Sequence, residues 1–181
     1  MDAIFVYDGE FAKGDAGFPL IRMAAARYCL ENEIPFDPEK AEIIRDEKRK
    51  PYFTDLPVEF SLTHSGQLWM CMFSDRPCGL DLQEIRDCDY EKMAERFFLP
   101  DEAEYVRQNG QDAFFDIWVR KEAYCKMTGE GLFGTEMPSV LAGKGTFRGK
   151  SYCFQEIEIS DDMRCCVCTE SGAEPVLRAL A

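Results

Sequence analysis

The 181 residues carry 34 acidic against 21 basic side chains, a net charge of −13, which argues against a nucleic-acid-binding surface. A hydrophobic content of 46% with 13% aromatics is enough for a sizeable core, in one domain or two small packed halves. No apolar run approaches the roughly 20 residues that cross a bilayer, and Met1-Asp2-Ala3 lacks the basic opening of a signal peptide.

The nine cysteines are therefore read as reduced thiols of a cytoplasmic chain. Cys165-Cys166-Val167-Cys168 fits no common zinc spacing and is read as buried strand thiols.

In chain order, Ile4–Tyr7 reads as a first strand, and Pro19 opens a helix over 20–30 with Leu20, Ala24 and Tyr28 along one stripe. Residues 41–47 form a weak strand. Lys48-Arg49-Lys50-Pro51 is the one dense cationic segment and the first place to look for an anion contact. Phe60 to Gly66 alternates and then turns at Ser65-Gly66, and Leu68–Phe73 is strongly strand-like, so the two make a hairpin. His64, the sole histidine, ends the first of these strands. In Cys78–Glu84, Leu80 and Leu82 share one face and Asp81 and Gln83 the other.

Asp89 caps one helix, and Pro100 starts another that runs to about Val106. A longer helix spans 112–126, with Asp112 as its N-cap and Gly129 as its stop. It carries Trp118, Lys121, Glu122 and Lys126. Taken alone, Glu122 and Lys126 are an ordinary i,i+4 ion pair. Three strand-like runs over 145–148, 151–159 and 163–168 form an antiparallel meander, and Pro175-Val176-Leu177 is a short tail strand or coil. The pattern is mixed α+β with antiparallel hairpins.

Three blocks stand in order: Phe60-Ser61-Leu62-Thr63-His64-Ser65-Gly66; Gly79-Leu80-Asp81-Leu82-Gln83; and Trp118-x-x-Lys121-Glu122-Ala123-x-x-Lys126 followed by Gly129-x-Gly131-Leu132. Together with Lys50-Pro51 and Arg96-Phe97-Phe98 before Glu102-x-x-Tyr105, they resemble the 4′-phosphopantetheinyl transferases. The likeness is to the larger, pseudo-dimeric type that activates surfactin-like synthetases, and it covers most of residues 18–168.

The resemblance implies two similar α/β halves with pseudo-twofold symmetry, residues 1–77 and 78–181, and an active site in the cleft between them. It implies transfer of 4′-phosphopantetheine from coenzyme A to a serine of an acyl- or peptidyl-carrier protein, with release of 3′,5′-ADP, by a monomer in the cytoplasm. Mg²⁺ would be held by Asp81, Gln83 and Glu122, and Glu122 would also serve as base. Lys126 would reach the phosphates, while Arg22, Lys50, Thr63 and His64 would bind coenzyme A. Lys121 would be a structural ion-pair partner.

Gln83 departs from the pattern, which has a glutamate there, so the metal site loses a negative charge. The segment before Arg22 is short, and of its basic residues only Lys13 remains. Docking of an acidic carrier would be repelled by the net charge and is expected on an apolar patch, for which Leu99–Phe115 is the candidate. One rival is a non-catalytic coenzyme A or carrier binder of the same family, which Gln83 makes conceivable. Another is a hydrolase using Ser61 or Ser65 with His64. It fails because adjacent strand residues point apart and no G-x-S-x-G elbow exists.

Overall fold

The computed structural model describes residues 1–47, 50–131 and 136–180. Lys48 and Arg49 of the basic run, and Leu132 of the third block, lie outside the described residues.

Strand β1 (Ala3–Asp8) leads through a 3-10 turn (Gly14–Gly17) into helix α1 (Phe18–Glu31). Pro19 lies in the first turn of α1, where its missing N–H breaks no helical bond. The buried face of α1 is Ile21, Ala24, Ala25, Tyr28 and Cys29; Leu20, expected on it, is only half-buried. The weak strand over 41–47 shrinks to β2 (Ile43–Arg45), paired antiparallel with β3 (Pro51–Phe53). Strands β4 (Glu59–Ser65) and β5 (Leu68–Ser74) form the expected hairpin, with Ser65 opposite Leu68.

The second sheet begins with β6 (Cys78–Glu84). Helices α2 (Tyr90–Phe97), α3 (Pro100–Asn109) and α4 (Gln111–Thr128) follow, then the antiparallel strands β7 (Lys144–Phe147), β8 (Lys150–Glu156) and β9 (Met163–Thr169). The order is β6-β9-β8-β7. The last strand, β10 (Val176–Ala179), leaves this sheet and pairs parallel with β1, so the first sheet reads β10-β1-β5-β4.

The expected second half, 78–181, therefore gives its final strand to the first sheet. Without β10 the outer edge of β1 would present unpaired backbone groups. Arg27 donates to the Ala179 carbonyl at 2.5 Å, and Arg178 lies 3.3 Å from Glu31, so α1 fastens the returning strand.

Three buried clusters make the core. One packs α1 on the first sheet through Tyr28, Trp69 and Phe73; a second packs α2, α3 and α4 on the second sheet through Phe114, Ile117 and Cys166. The third belongs to both sheets: Ile4, Met70 and Met72 meet Leu80, Leu82, Cys165 and Val167. Strand β5 is thus buried on both faces, which explains its unbroken apolar run. The alternation of β9 sends Cys166 and Cys168 to the helices and Cys165 to the shared core. All nine cysteines are free thiols.

A row of hydroxyls joins β4 to β6. Ser61 Oγ accepts from the Leu80 N–H at 2.9 Å, Thr63 Oγ1 from the Leu82 N–H at 3.1 Å, and Ser65 Oγ from the Glu84 N–H at 2.9 Å. The side chains of one strand stand in for the backbone acceptors of a neighbour. Gly79 then lets β6 press against α4. A Cβ at this position would lie 1.8 Å from the Ala123 carbonyl oxygen, closer than any atom can approach.

Helix α4 starts two residues earlier than the sequence suggests. Gly110, at φ 82°, occupies the N-cap, and Asp112 falls in the first turn, 3.3 Å from Arg164. The stop at Gly129 is as expected, in the left-handed region at φ 72°. Lys121 is a structural ion-pair partner: its Nζ donates to Glu102 Oε2 at 2.7 Å, with both side chains buried. Glu102 also accepts from the Leu99 N–H at the start of α3 and from the Val140 N–H, each at 2.9 Å. One carboxylate thus ties two helices and the 136–143 segment.

Lys121→Met removes the cation and leaves Glu102 charged and buried. We expect a loss of about 3–5 kcal/mol in denaturant unfolding, most of which returns in the double variant Lys121→Met/Glu102→Gln.

Candidate active site

A pocket of about 750 Å³ opens where β4 and α4 face the 12–18 segment, β2 and β3. Its cations are Lys13, Arg45, Lys50 and Lys126, joined by His64; Glu122 and Glu130 are the acidic residues on its wall. A positive lining in a chain of net charge −13 makes a local anion site.

Lys126 lines the pocket, and Asp81 lies behind it, outside the lining. Lys126 Nζ donates to Asp81 Oδ1 at 2.7 Å and to the Leu80 carbonyl at 2.9 Å. The simple reading of Lys126 as an ion-pair partner of Glu122 is thereby corrected. Contact between β6 and α4 at Gly79 brings Asp81 closer to the Lys126 ammonium than a helical neighbour one turn away. Asp81 is 7% exposed, so its strand face meets α4 rather than water.

Burial raises the Asp81 carboxyl above the usual carboxylate range, against the pull of Lys126 and Thr63. Burial raises Glu122 too, and the charge of Asp81 adds to it while Lys126 opposes. Two carboxylates thus lie near one ammonium, and the charge of Asp81 disfavours that of Glu122.

Of the residues expected to bind coenzyme A, Lys50, His64 and Lys126 line the pocket. Lys50 Nζ donates to the Lys126 carbonyl at 3.2 Å and lies 3.7 Å from Glu59, so it sits at the C-terminal turn of α4, where the helix dipole favours a cation. His64 is exposed, with its ring centroid 5.4 Å from that of Phe11.

Arg22 and Thr63 do not line the pocket. Arg22 Nε donates to the Ala41 carbonyl at 3.0 Å. Thr63 is 5% exposed, and its hydroxyl faces β6 because residues 61, 63 and 65 share one strand face while Leu62 and His64 take the other. Gln83 lies outside the lining as well, and its Nε2 donates to the Glu84 carbonyl at 3.1 Å.

The sequence reading missed Arg45, which sits over the Phe18 ring at 5.4 Å and within 2.7 Å of Asp15. Its only signal was a cation within a weak strand. The apolar residues of the expected docking stretch, Leu99–Phe115, are mostly core: Ala103, Val106, Phe114 and Phe115 are buried, and Tyr105 is the large ring left exposed. No group of three or more His, Cys, Asp or Glu among the described residues is arranged to hold a metal ion. Asp81 and Glu122 are two carboxylates and need a third donor of another kind.

Burial, then the charges of Lys13 and Lys126, lower the pKa of His64 from its ordinary 6.5. As the only histidine, it gives one unambiguous imidazole signal. Its titration by proton NMR is expected to fall below that of a model peptide and to rise toward it in Lys126→Ala.

The sequence model of the 4′-phosphopantetheinyl transferase superfamily matches residues 77–168, which include Asp81, Glu122 and Lys126. Three similar proteins are each named a 4′-phosphopantetheinyl transferase. One is gsp of Aneurinibacillus migulanus, 33% identical over 93 residues, 49% of this chain and 38% of the relative. HetI of Nostoc sp. is 35% identical over 116 residues, 59% of this chain and 49% of the relative. Sfp of Bacillus subtilis is 28% identical over 127 residues, 67% of this chain and 56% of the relative. The chain spans about half the length of the curated relatives it matches. A family match over half the chain, falling on the strand and helix that bring Asp81, Glu122 and Lys126 together, makes this chain a member of the 4′-phosphopantetheinyl transferase superfamily.

Proposed function

We propose that the chain transfers 4′-phosphopantetheine from coenzyme A to a serine of an acyl- or peptidyl-carrier protein and releases 3′,5′-ADP. The observation that carries this reading is Lys126 and Glu122 on the wall of a pocket also lined by Lys13, Arg45, Lys50 and His64, with Asp81 held behind the wall by Lys126. The two sheets, each packed against helices on one face and against the other sheet on the shared core, correspond in this reading to the two pseudo-symmetric halves. The pocket is then the cleft between them. It is built within one chain, which suits a monomer, and the free thiols suit a reducing cytoplasm.

The reaction joins the serine oxygen to the β-phosphorus of coenzyme A and breaks the pyrophosphate bond. The serine proton must leave, and 3′,5′-ADP departs with the bridging oxygen. Lys13, Arg45, Lys50 and His64 hold the nucleotide phosphates. Lys126 favours the ionised form of Asp81 against the effect of burial, and stands beside the pyrophosphate. Glu122, whose basicity burial has raised, takes the serine proton, directly or through a water.

The donor set suits a hard cation: Asp81 and Glu122 offer carboxylate oxygens, and Gln83 its Oε1. Mg²⁺ bound there supplies charge neutralisation of the pyrophosphate. A second reading, a binder of coenzyme A that does not react, is favoured by Gln83 alone, which takes one negative charge from that set.

Incubating the protein with Mg²⁺, coenzyme A and apo-carriers, and weighing the carriers intact, separates the two readings. Transfer is expected, and coenzyme A bound without transfer to any carrier supports the binder. Glu122→Gln should lower transfer by at least about 100-fold.

The same variant has a stability signature. The folded chain raises the Glu122 pKa, so it favours the neutral form; that stability is full below the ordinary carboxylate range and is lost as pH rises through the raised value. A neutral glutamine should therefore leave thermal stability at about pH 7 equal or higher, with the gain vanishing near about pH 4. Gln83→Glu restores a negative ligand and should lower the Mg²⁺ concentration for half-maximal transfer. An unchanged Mg²⁺ titration would remove Gln83 from the ion's surroundings.

A further inference from the structure

The row of hydroxyls between β4 and β6 has one member unlike the others. Ser61 and Ser65 each accept a single amide hydrogen from β6. Thr63 accepts from the Leu82 N–H at 3.1 Å and also donates its own hydroxyl hydrogen to Asp81 Oδ1 at 3.3 Å. Oδ1 is the same oxygen that Lys126 Nζ meets at 2.7 Å.

Both side chains are buried, Thr63 to 5% and Asp81 to 7% exposure, so no water competes freely for these bonds. With one lone pair held by a backbone N–H, the hydroxyl hydrogen is directed at Asp81 Oδ1. That direction is fixed by β4, a strand of the first sheet, while Asp81 belongs to the second. Two side-chain donors on Oδ1 restrict the rotation of the carboxylate, and among the described residues no side chain donates to Oδ2.

We infer that Thr63 is a positioning residue: it orients the Asp81 carboxylate across the junction of the two sheets so that its second oxygen can meet Mg²⁺, and it does not itself touch the coenzyme A phosphates. The inference rests on the proposed transferase reading of the site. It differs from a phosphate-binding role for Thr63, because the hydroxyl faces β6 while the neighbouring His64 faces the pocket.

The test compares Thr63→Val, which keeps the shape and loses the hydroxyl, with Thr63→Ser, which keeps the hydroxyl. Ser65→Ala removes another rung of the row that does not touch Asp81. Coenzyme A binding is measured by calorimetry over a series of Mg²⁺ concentrations, with carrier modification followed in parallel. Thr63→Val should raise the Mg²⁺ concentration at half-effect by about tenfold or more in both measurements, the loss of one hydrogen bond to a charged group. Thr63→Ser should restore it to within about threefold, and Ser65→Ala, although less stable to heat, should leave it unchanged.

If Thr63→Val does not fold, Thr63→Cys fills the space with only a weak donor and takes its place. An unshifted Mg²⁺ dependence in the valine variant overturns the inference. So does a loss of coenzyme A affinity equal at all Mg²⁺ concentrations, which would mark a direct phosphate contact. If the unsubstituted protein binds no coenzyme A in a Mg²⁺-dependent way, the reading of the site fails, and this inference with it.

Discussion

Three side-chain hydroxyls take the place of a backbone ladder between β4 and β6, and the rest of the molecule depends on that junction. A strand pair normally shares N–H and C=O groups directly. Here Ser61, Thr63 and Ser65 supply the acceptors, so β4 presents one strand face to the second sheet and the opposite face, with Leu62 and His64, to the pocket. The shared core of Ile4, Met70, Met72, Leu80 and Leu82 closes behind it. The consequence for chemistry is direct: a residue of the first sheet and a carboxylate of the second are held in one hydrogen-bonded set.

The electrostatics follow from the same packing. Asp81 and Glu122 are withdrawn from water against their preference, and both carboxyls are raised by burial. Lys126 offsets part of that cost for Asp81 and stands near Glu122. Such an arrangement costs stability, and in the proposed reading that cost is offset when a cation and a polyphosphate arrive. The buried Glu102–Lys121 pair on the other side of α4 has no such task. Its carboxylate accepts three bonds, and it holds the helix that carries Glu122 and Lys126.

Helix α4 was legible from its residues alone, because a long periodic run ends at a glycine and those signals are local. So were the meander and the β4–β5 hairpin. The partner of Lys126 was not, since that pairing depends on Gly79 admitting a strand 40-odd residues earlier, and no local pattern reports such contact. Thr63 was grouped with His64 by resemblance, although strand alternation sends adjacent side chains to opposite faces. The N-cap fell at Gly110 rather than Asp112 because a positive φ there suits glycine, and Asp112 found Arg164 instead. Of the expected site residues, Lys50, His64, Glu122 and Lys126 line one pocket, while Arg22, Thr63, Asp81 and Gln83 do not, because the face each one takes depends on packing between elements far apart in sequence.

The return of β10 to β1 gives synthesis of this chain an order of events. Residues 3–6 pair with residues 176–179, the greatest sequence separation in either sheet. The antiparallel hairpin of β4 and β5 can form early in translation, yet the outer edge of β1 stays open until residues 176–179 have been made. For that interval the first sheet has an exposed template for strand pairing, the kind of edge that chaperones cover and aggregates recruit. Arg27 and Arg178, which clasp β10 to α1, act once that strand has returned and shut that window.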